Sequence, residues 1–562
     1  SSAPILNATG HHFSYIITLV RPLCSHHELP SPLDSRRSAT MNYTFVLGFA
    51  AAAAVLQIIR MVLASWQHSR KARELGCGSL PLFPCKDPIG IDTLKQSLAA
   101  DKAKLLPELS SSRVGIVSEQ EGRYVTTYVL RNLGRNLVFT IDPKNIQAVL
   151  ATQFKDFELG EVRRHSMHPL LGTGIFTADG EEWSRSRGLL RPQFTREQIS
   201  QLELEEQHVQ KAMQALPVAT NGWTAATDLQ TIFFRLTIDS ATEFLFGESV
   251  ESQLGAIKGL QRPEDSFAYF FDKSQWVCAQ RSRFEKLAFV VNNKETRYSD
   301  KQVHDFVDRV VSNALRAVES GKPPVDEEKS QHYVFLDALV SVTRDPIELR
   351  SQLLNILLAG RDTTASLLSW TVMMLARHPE TFKKLRETVI ENFGTYSNPR
   401  NITFATLKSC QYLQYCMNES LRLFPVVPFN RRAATRDTTL PRGGGPDGQS
   451  PVYIKKGQAV VYSTHVMHRR KDLWGPDADE FKPDRWLNRK VGWEYIPFNG
   501  GPRICIGQQF ALTEAGYVLV RLLQRFDRIE DVNADQKIRW GITLTSCPAD
   551  LLTVRMHQAD DA

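Results

Sequence analysis

Phe498-Asn-Gly-Gly-Pro-Arg-Ile-Cys-Ile-Gly507 is the stretch on which the reading of this 562-residue sequence turns. It sets Cys505 in a turn bracketed by Gly501 and Gly507, with Arg503 two residues ahead of the thiol. Glycine lets a backbone approach a flat group more closely than a residue with a Cβ does. An arginine can hold a carboxylate through two parallel hydrogen bonds, and Phe498 offers an aromatic face to pack beside a ring. From Gln508 to Leu523 apolar residues recur at helical spacing, which predicts a helix beginning just after the thiol. At a helix N-terminus the dipole and the unbonded N–H groups favour a thiolate. The expectation is a thiolate ligand to haem iron, with Arg503 on a propionate. A structural cysteine in a glycine-rich turn is the plain alternative.

This loop resembles the cysteine-ligand signature of the cytochromes P450, the haem-thiolate monooxygenases. The resemblance implies further motifs, and three are present. Glu419-Ser-Leu-Arg422 places an acid and a base on one helix face, among Tyr415, Met417, Leu421, Leu423 and Phe424. In the family such a pair joins a later arginine, here Arg485 of Phe481-Lys-Pro-Asp-Arg-Trp486, in a buried triad behind the haem. A buried triad costs desolvation, so these three residues are expected to specify structure rather than chemistry.

Ala359-Gly-Arg-Asp-Thr-Thr364 lies inside a long apolar run from about Pro346 to Arg377. A helix apolar all round belongs in the middle of a large core. Gly360 weakens it where Asp362 and Thr363 fall, and a hydroxyl there can open the helix for water or dioxygen. A buried acid beside an alcohol suits proton delivery, so Asp362 and Thr363 are the candidate catalytic residues; relieving a kink is their plainer explanation. Trp183-Ser-Arg-Ser-Arg187 separates an indole N–H and a guanidinium by one helical turn. That spacing alone is weak, but the resemblance implies that Trp183 and Arg187 reach haem propionates.

No glycine/serine-rich or proline-rich linker interrupts the chain after its apolar N-terminal run, and the four motifs span Trp183 to Cys505. A single catalytic domain over 75–560 follows, mainly α with a small β lobe, as the resemblance also implies. Strand-like stretches fall at Gly122–Tyr128, Leu137–Thr140, Pro451–Ile454 and Leu551–Arg555, and Asp142 is placed to cap a short helix. The eight cysteines, at 24, 77, 85, 278, 410, 416, 505 and 547, show no C-x-x-C pair or disulfide rhythm. That suits a reducing compartment and supports neither zinc nor a cysteine nucleophile. The formal charge of +7 is mild, and no basic cluster with interleaved aromatics points to nucleic acid. Lysine and arginine fit anionic lipid and an acidic redox partner better.

Tyr43–Trp66 is apolar apart from Gln57 and Arg60, long enough for a membrane anchor. Arg70, Lys71 and Arg73 follow it, so the positive-inside rule sets the catalytic domain in the cytosol, as for a single-pass protein of the endoplasmic reticulum. Residues 1–40 match no motif and are expected to be a disordered leader or extension, with a cleaved signal peptide as the alternative. Of the sequons at Asn7, Asn42, Asn401 and Asn418, the last two are expected to be unused.

Asp228–Ser249, Ala359–Thr364 and Pro428–Gly445 resemble the fungal branch that hydroxylates n-alkanes and fatty acids. The resemblance implies haem b, dioxygen, electrons from NADPH through cytochrome P450 reductase, and an apolar substrate oxidised at or near its end. Leu358, Val426 and Val427 are the apolar residues expected to line the pocket. Oxidation of a fungal secondary metabolite by the same chemistry is the alternative. A reductase-independent isomerase or peroxygenase, or a haem-binding protein without turnover, are alternatives of another class; the former commonly lack the acid–alcohol pair.

Overall fold

The first apolar run forms a helix, α1 (Arg36–Glu74), which contains the expected span Tyr43–Trp66. Within it Phe45–Glu74, 30 residues, is apolar and long enough to cross a membrane, and its most apolar window is exposed throughout. At 1.5 Å per residue it extends about 45 Å, more than the ~30 Å of a bilayer's hydrocarbon core. This one apolar helix fits a single membrane anchor. The computed structural model describes residues 36–195, 202–260, 266–320 and 333–560. The leader expected over 1–40 therefore lies outside the described residues, save for 36–40, which are helical. The chain divides into two units, one ending at Arg70 and one running from Lys71, and the second carries every candidate site residue.

The β lobe of that second unit is a five-stranded sheet. β1 (Thr127–Asn132) and β2 (Arg135–Thr140) form a hairpin, and β3 (Phe157–Glu158), β4 (Phe429–Ala434) and β5 (Ala459–Ser463) complete the order β1-β2-β5-β4-β3. Only β2 and β5 run parallel, Val138 opposite Val460. The strand expected at Gly122–Tyr128 starts later, at Thr127, because Gly122 ends the preceding helix in the left-handed region at φ 64°. The strand expected from Leu551 runs instead over Thr553–Gln558, since Leu551 sits at φ 59°, which extended backbone does not allow. Asp142 caps its helix as expected, accepting from the amides of Lys144 and Asn145.

Helices α2 (Gly180–Leu190), α3 (Leu229–Phe246), α4 (Phe267–Phe284), α5 (Lys294–Glu319), α6 (Pro346–Arg377), α7 (Gln411–Leu423) and α8 (Gln508–Arg525) position the site. The longest of these after α5 begins, α6, starts with Asp345 capping the Ile347 amide and Pro346 in the first turn. It stops before Pro379, whose ring disfavours helical backbone in the residue ahead of it. Between Ser351 and Ala376 every residue of α6 is buried except Ala359, Gly360 and Thr363. The two largest apolar clusters divide along this helix, one holding Leu353 to Leu358 and the other Ala365 to Ala376.

Glu419, Arg422 and Arg485 meet in one ion-paired cluster. Glu419 and Arg422 of α7 are both fully buried, and Arg422 Nε and Nη2 each lie 2.8 Å from a Glu419 oxygen. Arg485 Nε, the Trp486 indole N–H and the Lys482 amide also donate to Glu419. Arg422 reaches the carbonyls of His468, Ala478 and Glu480, and Arg485 reaches Trp474 and Asp477. Replacing Glu419 by Gln leaves two buried guanidiniums short of countercharge. The expected loss is about 3–5 kcal/mol, seen as a fall in the denaturant midpoint; an unchanged midpoint would contradict this role.

Candidate active site

The Cys505 loop is closed by its own backbone. The Cys505 amide donates to the Phe498 carbonyl at 3.0 Å and the Ile504 amide to Gly501 at 3.0 Å. Asn499, at φ 64°, is held by the Tyr462 hydroxyl at 3.0 Å. Phe498 packs at the edge of the largest core cluster. The two bracketing glycines differ in a way their symmetry in sequence hides. Gly501 has φ +67°, and a Cβ there would come 1.9 Å from the Leu150 carbonyl oxygen. Its close approach is thus to the protein's own backbone, which corrects the expectation that both glycines serve a flat group. Gly507 precedes α8 at φ −94°, and a Cβ would meet nothing nearer than the Phe194 ring at 3.6 Å. Only Gly507 leaves open room.

Cys505 is exposed by surface area, yet burial is the main influence on its thiol and pushes its pKa up. Both hold if the sulfur borders a hollow inside the protein. The Gly507 N–H and the charge of Arg187 pull in the opposite direction, toward thiolate, as the helix-start reading expected. Ile506 and Phe510, on either side of the α8 start, pack against the cluster that contains Leu357 and Leu358 of α6.

On α6 the three accessible residues, Ala359, Gly360 and Thr363, fall on one face. A Cβ on Gly360 would find only the Ala241 methyl at 3.8 Å. The Thr363 hydroxyl donates to the Ala359 carbonyl at 2.7 Å, bonding back four residues. α6 stays helical through this turn, so the opening expected at Gly360 is not present; the back-bond shares the carbonyl without breaking the ladder. Asp362 is turned away, 4% exposed, since neighbours on a helix point about 100° apart. Its carboxylate pairs with Arg361 Nη1 at 3.0 Å. Arg361, also buried, reaches Asp272 of α4 with both nitrogens, and the Asp272 side chain is 55% exposed. Burial raises the Asp362 pKa to about 6 against the pull of Arg361, with Asp272 adding to the rise. Acid and alcohol therefore occupy different environments. Leu358 and Val426, expected in the pocket lining, are buried in the two cores, and Val427 is partly buried beside one of them.

The basic residues do converge. Arg503 stacks on the Trp183 ring at 4.4 Å and Arg187 lies 5.8 Å from the same ring. Arg187 Nη2 donates to the Ile504 carbonyl at 3.0 Å. Arg503 Nη2 bonds Asp179 Oδ1 at 2.6 Å and the Ala178 carbonyl. Two more guanidiniums that motif reading missed join them. Arg163 Nη2 donates to Asn430 Oδ1 at 2.7 Å, and Arg432 Nη1 to the same oxygen at 3.2 Å. Burial and the neighbouring arginines lower the pKa of Arg163 and of Arg503 to about 10. Among the described residues neither Arg163 nor Arg432 pairs with a carboxylate. Four guanidiniums with a single aspartate among their partners leave a surplus of partly buried positive charge, which anions would offset. Two propionates supply that charge, so the residues present fit a haem: Cys505 for the iron, and Trp183, Arg187, Arg503, Arg163 and Arg432 for the acid edge. No motif marks Arg163, and Arg432 carries only its place in a strand.

Comparison with known proteins shows the family. The cytochrome P450 family model matches residues 108–552. Cytochrome P450 monooxygenase g430 of Fusarium sp is 53% identical over 506 residues, covering 89% of this chain and 88% of the relative. Cytochrome P450 monooxygenase alt2 of Alternaria solani is 46% identical, covering 87% of this chain and 93% of the relative. Cytochrome P450 52A13 of Debaryomyces hansenii is 52% identical over 413 residues, covering 72% of this chain and 78% of the relative. The glycine pair offers a direct check of the loop. Gly501→Ala is expected to cost about 2–5 kcal/mol through left-handed backbone and overpacking, whereas Gly507→Ala costs about 1 kcal/mol. Thermal unfolding of the two variants side by side measures this, and equal losses would refute the distinction.

Proposed function

The chain belongs to the cytochrome P450 family, and from that premise we propose that it hydroxylates a long apolar chain, a fatty acid or n-alkane, at or near its end. Proteins of this family are monooxygenases that hold haem through a cysteine thiolate and use dioxygen with electrons from a redox partner. The observation that carries the proposal is an accessible Cys505 ahead of α8, together with the stretch 351–376 of α6, buried except at Ala359, Gly360 and Thr363. No acidic or basic side chain belongs to that accessible strip, which suits an apolar substrate. The resemblance to the fungal n-alkane and fatty-acid branch supports the same reading.

Haem bound through Cys505 supplies the oxygen activation and the C–H oxidation. The protein's part is separate and has three components. The Gly507 N–H and Arg187 favour the thiolate, and the arginine cluster would hold the propionates of a bound haem. Thr363, whose hydroxyl donates to the Ala359 carbonyl, offers its oxygen lone pairs at the accessible face of α6 to accept from a proton-carrying group such as water. Asp362, buried and titrating near 6, stores a proton one residue away, and the Arg361–Asp272 pairs connect its surroundings to the surface. Apolar walls around this strip exclude bulk water and keep protons from arriving by other routes.

The remaining proposals concern placement. Residues 43–66 anchor the protein in the endoplasmic reticulum membrane, and 75–560 form a cytosolic catalytic domain. The basic residues after the anchor, Arg70, Lys71 and Arg73, support that orientation, and NADPH–cytochrome P450 reductase is the electron donor.

The first test is the reduced-CO difference spectrum of the wild type and of Cys505→Ser. Loss of the thiolate-type band in the variant is expected; a retained band would mean that another residue holds the iron. With reductase and NADPH, hydroxylated fatty acid or alkane is the expected product, and turnover supported by hydroperoxide alone would favour the peroxygenase alternative. The proton role has its own signature. As pH rises through about 6, Asp362 passes from acid to carboxylate, so product formed per NADPH is expected to fall. In Asp362→Asn that dependence should vanish, with the rate lowered roughly a hundredfold. A wild-type profile flat across that range would sink the assignment.

A further inference from the structure

Two arginines from different strands meet on one carboxylate at the sheet. Arg135 Nη1 of β2 lies 3.0 Å from Glu285 Oε2, and Arg431 Nη1 of β4 lies 3.0 Å from Glu285 Oε1. Glu285 opens the connector between α4 and α5, and its side chain is only 8% exposed. One carboxylate carries half the charge needed to neutralise two guanidiniums, so the cluster stays positive.

The connector supplies this carboxylate at a conformational cost. Glu285 has φ 49° and ψ −113°, backbone that a residue with a Cβ avoids. Its neighbours Leu287, Phe289 and Val290 meanwhile remain 44%, 67% and 59% exposed. Charge, more than apolar burial, therefore fastens the connector here. Arg283, in the last turn of α4, adds bonds to Asp101 and to the Ile542 carbonyl.

β4 links this cluster to the interior. Just ahead of it, the Pro425 and Val426 carbonyls accept from the hydroxyl and amide of Ser546. Ser366 of α6 donates in turn to the Ser546 carbonyl. From Val426 to Arg431 the chain covers at most about 18 Å. Along the strand Arg431 shares the face of Phe429, while Asn430 and Arg432 take the opposite face with Arg163. The two faces of one strand thus carry two separate basic groups.

We propose that Arg135 and Arg431 form a clamp for the carboxylate of a long-chain fatty acid, and that Glu285 occupies it as an internal stand-in until the substrate displaces it. This rests on the long-apolar-chain reading above and selects the acid over the alkane within it. The exchange replaces one carboxylate by another, so the charge balance of the clamp is kept. It also frees Glu285 from its strained backbone, and the connector with it. An alkane or alcohol has no group to make the exchange and gains nothing from the two arginines.

The test is optical titration of the haem-loaded full chain, following the spin-state shift, with dodecanoate and with dodecanol. Glu285→Gln is expected to bind dodecanoate about tenfold more tightly and Arg431→Gln about tenfold more weakly, each leaving dodecanol unchanged. The dodecanoate effect in Glu285→Gln should shrink as salt is raised. A full reduced-CO band in each variant verifies the fold. Parallel changes for acid and alcohol, or a wild type that answers dodecanol but not dodecanoate, would overturn the clamp while leaving the hydroxylase reading intact. A wild type that answers neither ligand overturns both.

Discussion

Five donors converge on the carboxylate of Glu419, and the catalytic unit is arranged around keeping that one buried charge satisfied. Arg422 supplies two of them, and Lys482, Arg485 and Trp486 the rest. A lone carboxylate in such a place would be prohibitively costly, so all these groups must be in position together. Arg422 then extends the constraint to the carbonyls of His468, Ala478 and Glu480. His468, whose pKa burial lowers to about 3, accepts from the Ile496 amide at 3.1 Å. Two residues later the Phe498 carbonyl closes the Cys505 turn. The position of Cys505 is thereby tied, bond by bond, to the buried charge of Glu419.

The interior is asymmetric in charge. On one side of the site, Arg163, Arg187, Arg432 and Arg503 gather with a single aspartate; on α6, the accessible strip has no charged member. That division separates the two tasks of the site. In the proposed function the cationic side would hold an anionic cofactor edge, and the neutral side would admit an apolar chain. Asp362 shows the same economy. It lies next to Thr363 in sequence but is kept off the accessible face, buried with Arg361, so its charge does not burden the pocket.

Much of this was legible in the residue pattern because the motifs encode local geometry. Glu419 and Arg422 had to share a helix face at their spacing, and Arg485 fits the same carboxylate. The thiol had to precede a helix, since the periodicity resumes at Gln508. Other features were not legible, for physical reasons specific to each residue. Gly501 and Gly507 look equivalent on paper, and only the Leu150 carbonyl, from a distant segment, distinguishes them. The opening expected at Gly360 failed because the Thr363 hydroxyl can bond back within an unbroken helix. Leu358 and Val426 are apolar as a pocket lining would be, but apolarity serves a core equally well, and both belong to the apolar clusters.

What the sequence alone determined is chemistry with local grammar: a thiolate at a helix start, an acid–base pair one turn apart, an acid beside an alcohol, and an apolar helix long enough to span a bilayer. Each follows from spacing along a single helix or turn. Only the tertiary structure decided which charges meet. Arg163 and Arg432, 269 positions apart by their numbering, share Asn430, and Glu285 rests between Arg135 and Arg431, more than a hundred residues from either. Long-range pairing depends on how sheets and helices stack, and no short-range periodicity in a chain records it.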